Sequence, residues 1–332
     1  MSRATVGRSD DGRCLPRAAG AGRTAVTVAL LAGAALASGA CAREERLDGR
    51  PVSEWAAALQ SEDAATRLRA AQAFARGAPR SPAAVHALLE ALAAERDGVV
   101  HETIAEALGR LGPAAAGAVP QLTALLRDRH PQVRSQAAAA LGQIGTPAQG
   151  AVPALAGLLT DPDHEVREAA AASLGRMGPA GAAAAPALAR AATDQITVVR
   201  LAAVRALVAV RPSPEVAVPA LTRALQDGYE GVQLAAVYGL ARFGPAAAGA
   251  VPGLRKAIAD EHFGLRAAAA ATLGSIGPLA VDAVPDLERL RADPDSTTRA
   301  EAAAAIAKIT GTHVIDSPPM PTRAPAGGRR VP

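Results

Sequence analysis

Between residues 119 and 144 the apolar positions fall on two helical faces. Val119, Leu122, Leu125 and Leu126 line the first, and after a polar break Val133, Ala137, Ala140, Leu141 and Ile144 line the second. This spacing predicts two helices joined by a short turn, and the pattern returns at a constant interval. Pro120, Pro153, Pro186, Pro219, Pro252 and Pro285 are 33 residues apart, as are Asp128, Asp161, Asp194, Asp227, Asp260 and Asp293. A third column reads Arg134, Arg167, Arg200, Gln233, Arg266 and Arg299. Several units close on Leu-Gly-x-x-Gly, as in Leu141-Gly142-Gln143-Ile144-Gly145. Columns that keep one register are the signature of a repeat protein.

Upstream, Val85-His86 aligns with Val119-Pro120 and His101 with Arg134; a further step aligns Trp55 with Leu89 and Leu122, Arg67 with His101, and Phe74 with Leu108. Eight helical hairpins are therefore expected over 51–311, with Trp55 plugging the first. A Gly-Pro step after a second helix supplies a stop and then a start. The prolines of the Pro120 column are expected inside the first helices, where each removes a hydrogen bond and bends the axis.

The Pro, Asp and Val-Arg columns with the terminal Leu-Gly-x-x-Gly resemble HEAT repeats, specifically the short variety first recognised in phycobilisome lyases. The likeness extends over most of the chain. A 33-residue period also belongs to ankyrin repeats, but their Thr-Pro-Leu-His signature is absent. The resemblance implies an all-α fold, an alpha-alpha superhelix of the HEAT/armadillo type. It also implies that the Asp and Arg columns form a structural ladder, with the acid near the start of each second helix, where it suits the dipole.

Composition agrees. Half of the chain is hydrophobic but only 2% is aromatic, so the apolar content is largely alanine with leucine and valine. Small side chains suit stacked helices better than the centre of a globule. The net charge is +4 and the pI 9.6. Setting aside five arginines and two aspartates in 1–41, and three arginines and one aspartate in 312–332, the 35 basic and 31 acidic residues become 27 and 28. A neutral body without a basic stripe or stacking aromatics argues against nucleic acid as the partner.

Arg3, Arg8, Arg13, Arg17 and Arg23 precede an uncharged run, Thr24 to Ala42, most apolar from Val26 to Leu36. This is the layout of a secretory signal. Leu36-Ala37-Ser38-Gly39-Ala40-Cys41 resembles a bacterial lipobox, which implies cleavage before a lipidated Cys41; the lipobox family prefers a larger aliphatic residue where Ser38 stands. The alternatives are an uncleaved anchor or cleavage by the general signal peptidase, for example after Ala40. The expected organisation is a signal over 1–40, a short linker over 41–50, the solenoid, and an unstructured Pro/Gly-rich tail over 312–332. A periplasm-facing, lipid-anchored monomer of the cell envelope follows.

Two enzyme families are built on this repeat: the phycobilisome lyases, against which the export signal argues, and deoxyhypusine hydroxylase. Deoxyhypusine hydroxylase resembles the chain in fold but holds two irons through His-Glu pairs on several second helices. Here His101-Glu102 is one such pair, its histidine in the arginine column and a position early, and His164-Glu165 precedes Val166 at a turn. The six histidines, His86, His101, His130, His164, His262 and His313, form no short-spaced ligand cluster. No metal, cofactor or catalytic constellation is expected. The favoured reading is a non-catalytic protein-binding scaffold; the alternative is a cytosolic accessory protein of the lyase or hydroxylase type.

In HEAT proteins the second helices line the concave side. With Val133, Ala137, Leu141 and Ile144 facing the core, Ser135, Ala139 and Gly142 are expected to face outward. Along the stack these columns read Glu102, Glu106, Gly109, then Glu168, Ala172, Gly175, then Leu201, Arg205, Val208, then Leu234, Tyr238, Ala241. Units five and six thus exchange small residues for types common at interface hot spots. The expected partner surface comprises Leu201, Arg205, Val208, Leu234 and Tyr238, with Tyr229 and Phe263 on nearby turns and Glu102, Glu106 and Glu168 as an acidic flank.

Overall fold

The computed structural model describes residues 45–77 and 81–312; the leader with Cys41 and the tail beyond Thr312 lie outside the described residues. Among these, the α-helices form eight consecutive pairs. They are α1 (Val52–Ala58) with α2 (Ala64–Gly77), α3 (Pro82–Ala94) with α4 (Gly98–Leu111), α5 (Val119–Leu125) with α6 (Pro131–Ile144), and α7 (Val152–Leu158) with α8 (His164–Met177). The remaining four are α9 (Ala185–Ala191) with α10 (Thr197–Ala209), α11 (Pro214–Ala224) with α12 (Glu230–Ala241), α13 (Val251–Ala257) with α14 (Phe263–Ile276), and α15 (Val284–Leu290) with α16 (Ser296–Thr310). Each second helix packs on the second helix of the next repeat.

The core is a column of side chains. Phe74, Leu108, Leu141, Leu174, Leu207, Leu240 and Leu273 are fully buried from the second helices, and Leu122, Leu155, Leu188, Leu221, Leu254 and Leu287 from the first. In the second repeat the buried residue is Leu88, and Leu89 is only half-buried, one position off the expected alignment. That repeat lacks the Gly-Pro entry, so α3 runs as one α-helix from Pro82 and its face is rotated by a residue.

The prolines sit differently from expectation. In five repeats the first helix is a 3-10 turn, such as Gly112–Ala118, followed by a short α-helix whose second residue is the proline. A proline there gives up an N–H that has no intrahelical partner in any case. The backbone leaves helical φ/ψ inside the 3-10 segment instead, at Ala115 (φ −87°, ψ 18°) and Ala280 (φ −99°, ψ 18°). Pro219 is the exception, because α11 starts early at Pro214 and carries it inside.

Second helices begin on side-chain caps where an Asp is available. Asp97, Asp163 and Asp295 accept main-chain N–H groups of the first turn. They end at Gly112, Gly145, Gly178 and Gly277, whose φ of 60°, 76°, 57° and 74° suits glycine. The expected 41–50 linker is partly structured: Arg46–Leu47 and Arg50–Pro51 pair as an antiparallel hairpin, β1–β2. Leu47 is buried, and the Trp55 indole N–H donates to its carbonyl at 2.8 Å under the Arg50 guanidinium. The hairpin and Trp55 together close the first repeat.

Candidate protein-binding groove on the second helices

The Asp and Arg columns meet across repeats. Arg134 Nε and Nη2 donate to Asp161 Oδ2 and Oδ1 at 2.8 and 2.7 Å, while Nη1 reaches back to the Asp128 carbonyl at 2.9 Å. Arg167 with Asp194, Arg200 with Asp227, and Arg266 with Asp293 repeat this fork. Arg67 does the same with Glu95, which stands 33 residues before Asp128 and was legible as the first member of the aspartate column. Arg200 and Arg266 hold Asp227 and Asp293 below the usual carboxylate range. At Glu95 burial pushes upward, but Arg67 and the N–H groups of Arg96 and Asp97 outweigh it, and its carboxyl falls to about 2. These aspartates are engaged in stacking, as the ladder reading expects.

The ladder has two gaps, at His101 and Gln233, which stand in the arginine column. In each case the next repeat's aspartate takes a histidine two residues on: His130 Nδ1 lies 3.0 Å from Asp128 Oδ1, and His262 Nδ1 lies 2.8 Å from Asp260 Oδ1. His130 and His262, four 33-residue periods apart, thus occupy one column. Among the described residues no three His, Cys, Asp or Glu side chains converge as a metal site, and His164-Glu165 opens α8.

Of the three columns expected to face outward, the glycine column does not. A Cβ on Gly109, Gly142, Gly175 or Gly274 would come within 2.7 to 3.1 Å of the Cα of Ala140, Ser173, Ala206 or Ala305 on the next second helix. Glycine is required there because two helix backbones approach closely. Between repeats five and six the small residue changes sides, Val208 facing Gly239. Neighbouring second helices approach less closely at α10–α12 and α12–α14 than elsewhere.

The surface opens on both sides of α10, at the close α8–α10 joint and at the looser α10–α12 joint. Leu201, Arg205, Ala202 and Val198 of α10 and Glu168, Ala172 and Arg176 of α8 line a groove of 390 Å³. On the other side of α10, Arg205 and Val208 with Gly231, Leu234 and Tyr238 of α12 line a second of 430 Å³. Arg205 belongs to both. Tyr238 is 61% exposed. Tyr229 stands at the N-cap position of α12 without a side-chain cap bond, and its ring crowds the space above Gly231, at the rim of the second groove.

The structure thus brings Leu201, Arg205, Val208, Leu234, Tyr238 and Glu168 together, while Tyr229 lines neither groove and reaches only the space above Gly231. Phe263 is exposed at the start of α14 in the next repeat and lines neither groove. Glu106 lines a third groove, which shares Arg176 with the first, and is paired to Arg110 at 2.7 Å, and Glu102 lines none of the three. The acidic flank therefore reduces to Glu168 at this site. Arg176 and Val198 had no signal as departures from a column.

The HEAT-repeat model matches residues 119–208, 150–241 and 218–307, together more than half of the chain. The chain is a HEAT-repeat protein. An engineered protein of known crystal structure shares 26% identity with this HEAT-repeat chain at a TM-score of 0.60, over 78% of each chain. YibA of Escherichia coli, at 19% identity and a TM-score of 0.56 over 78% of this chain and 92% of that one, shares the fold. The complex of CpcE and CpcF of phycocyanin lyase from Nostoc sp. matches at 25% identity and a TM-score of 0.46, over 76% of this chain and 97% of that one, too loosely to carry an argument about activity. No curated protein matches the sequence.

Proposed function

We propose that this HEAT-repeat protein is a non-catalytic scaffold that binds other proteins along its second-helix face, with the paired grooves either side of α10 as the main contact. One observation carries the reading. The repeats that place Leu201, Arg205, Leu234 and Tyr238 where others place small or acidic residues carry two contiguous grooves, one on each side of α10, and the second lies where the α10 and α12 helices part. Large apolar and aromatic side chains beside an arginine are the composition of interface hot spots. Arg205→Ala with Tyr238→Ala tests it. Partner affinity is expected to fall by at least ten-fold with an unchanged melting temperature, since both side chains are exposed; unchanged binding with unchanged melting removes the reading.

The leader supports export of a monomeric scaffold anchored by lipid on Cys41, with partners in the cell envelope. Intact mass spectrometry of the protein from its host's membranes is expected to give a chain starting at Cys41 and carrying acyl groups. A full-length chain in the soluble fraction refutes the anchor and reopens the cytosolic accessory reading.

A further inference from the structure

We infer that the paired grooves take an amphipathic helix from another protein, with large apolar side chains at positions i and i+7 and an Asp or Glu between them at i+3 or i+4. This rests on the scaffold reading and names its ligand. The grooves lie on the two sides of α10, so their centres are one repeat apart, about 9 to 10 Å for helices in contact. A helix rises ~1.5 Å per residue, so residues seven apart on one face are separated by ~10 Å and reach both grooves. The intervening turn then rests on the α10 ridge, where Arg205 is exposed to both sides.

Charge selects the helix. Among the described residues Arg205 and Arg176 have no ion-pair partner, whereas the ladder arginines Arg134, Arg167, Arg200 and Arg266 are each engaged by an aspartate of the next repeat. Arg205 and Arg176 both line the first groove, against the single carboxylate of Glu168. A carboxylate over Arg205 completes a charge-assisted pair that this chain leaves open. The apolar walls, Leu201 and Val198 on one side and Leu234 and Tyr238 on the other, take the flanking side chains. The chain's own tail is a poor occupant, because residues 312–332 carry three arginines and one aspartate.

The test is a displayed library of 16-residue helical peptides, constant on one face and randomised on the other, selected on the purified full chain. Enrichment of large apolar residues seven apart with an acid between them is expected. Binding should weaken at least ten-fold on Arg205→Glu and on Tyr238→Ala, and selection on Arg205→Glu should replace the acid by Lys. Arg205→Gln, which keeps most of the stem, should weaken binding without inverting the charge preference. No enrichment, or enriched peptides without the acid, overturns the inference. Enriched peptides that bind Arg205→Glu and Tyr238→Ala unchanged overturn both this ligand and this groove, while leaving protein binding elsewhere on the solenoid intact.

Discussion

Arg211 stands where five other repeats place a glycine of positive φ, and it adopts a φ of 51° itself. A side chain with a Cβ is disfavoured in the left-handed region by roughly 1–2 kcal/mol, part of which a glycine returns as unfolded-state entropy. Arg211→Gly is therefore expected to stabilise the fold by about 0.5 to 1 kcal/mol, read as a higher urea midpoint at constant slope. The opposite change at the helix contacts is costly. The Cβ that Gly142→Ala would add lies 2.7 Å from the Ser173 Cα, where neither backbone can yield without separating the helices. Ser173 is itself committed, its hydroxyl donating to the Ala138 carbonyl at 2.7 Å. A sequence period reveals that Gly142 is special but not which backbone comes close, so its column was read as outward-facing surface.

At the scale of the element, the joint between repeats six and seven is where the ladder gives way to a titratable pair. Asp260 first, then the negative charge of Glu230, raises the His262 pKa above its ordinary value, with Glu261 adding to the field. A raised histidine contributes stability that is fully present below the unfolded value of about 6.5 and is lost as pH rises through the higher folded value. The α12–α14 joint is thus expected to be tighter at pH 6 than at pH 8, seen as slower amide exchange in the first turn of α14. Gln233→Arg should supply the missing fork to Asp260, add about 0.5 to 1 kcal/mol, and flatten that pH dependence. Exchange that is independent of pH in the unaltered protein, after correction for intrinsic rates, contradicts the joint. The helices and the column that built this element were legible because every repeat makes the same demand of Asp, Arg and Leu. The proline's place at the second residue of a short helix was not, because apolar spacing does not separate a 3-10 turn from an α turn.

Across the whole molecule, apart from His101 and the rotated first helix of repeat two, the departures from the repeat converge. Gln233 in the ladder, Arg211 at a helix end, Val208 in the glycine column, Pro219 inside α11, and Leu201, Arg205, Leu234 and Tyr238 on the surface all fall in repeats five and six. A solenoid repeat contacts only its neighbours, so such a break need not propagate, and a specialised surface can be built at one place in the stack. Most of that surface was readable as exceptions to columns. Arg176 was not, because an arginine there is part of the ordinary repeat ending, and only the geometry shows it without an ion pair among the described residues. Phe263 and Glu102 were read into the surface by sequence register but fall outside the grooves that the second helices form.

A photoreactive residue introduced at Tyr238, and as a control at Leu279, which is equally exposed on the turn leading into α15, tests the groove most directly in the protein's own host. Irradiation is predicted to give a discrete cross-linked protein from position 238, lost when Arg205→Glu is added, and none from position 279. No cross-link at 238, or the same products from both positions, contradicts the assignment of the α10 grooves as the place where this scaffold holds its partner.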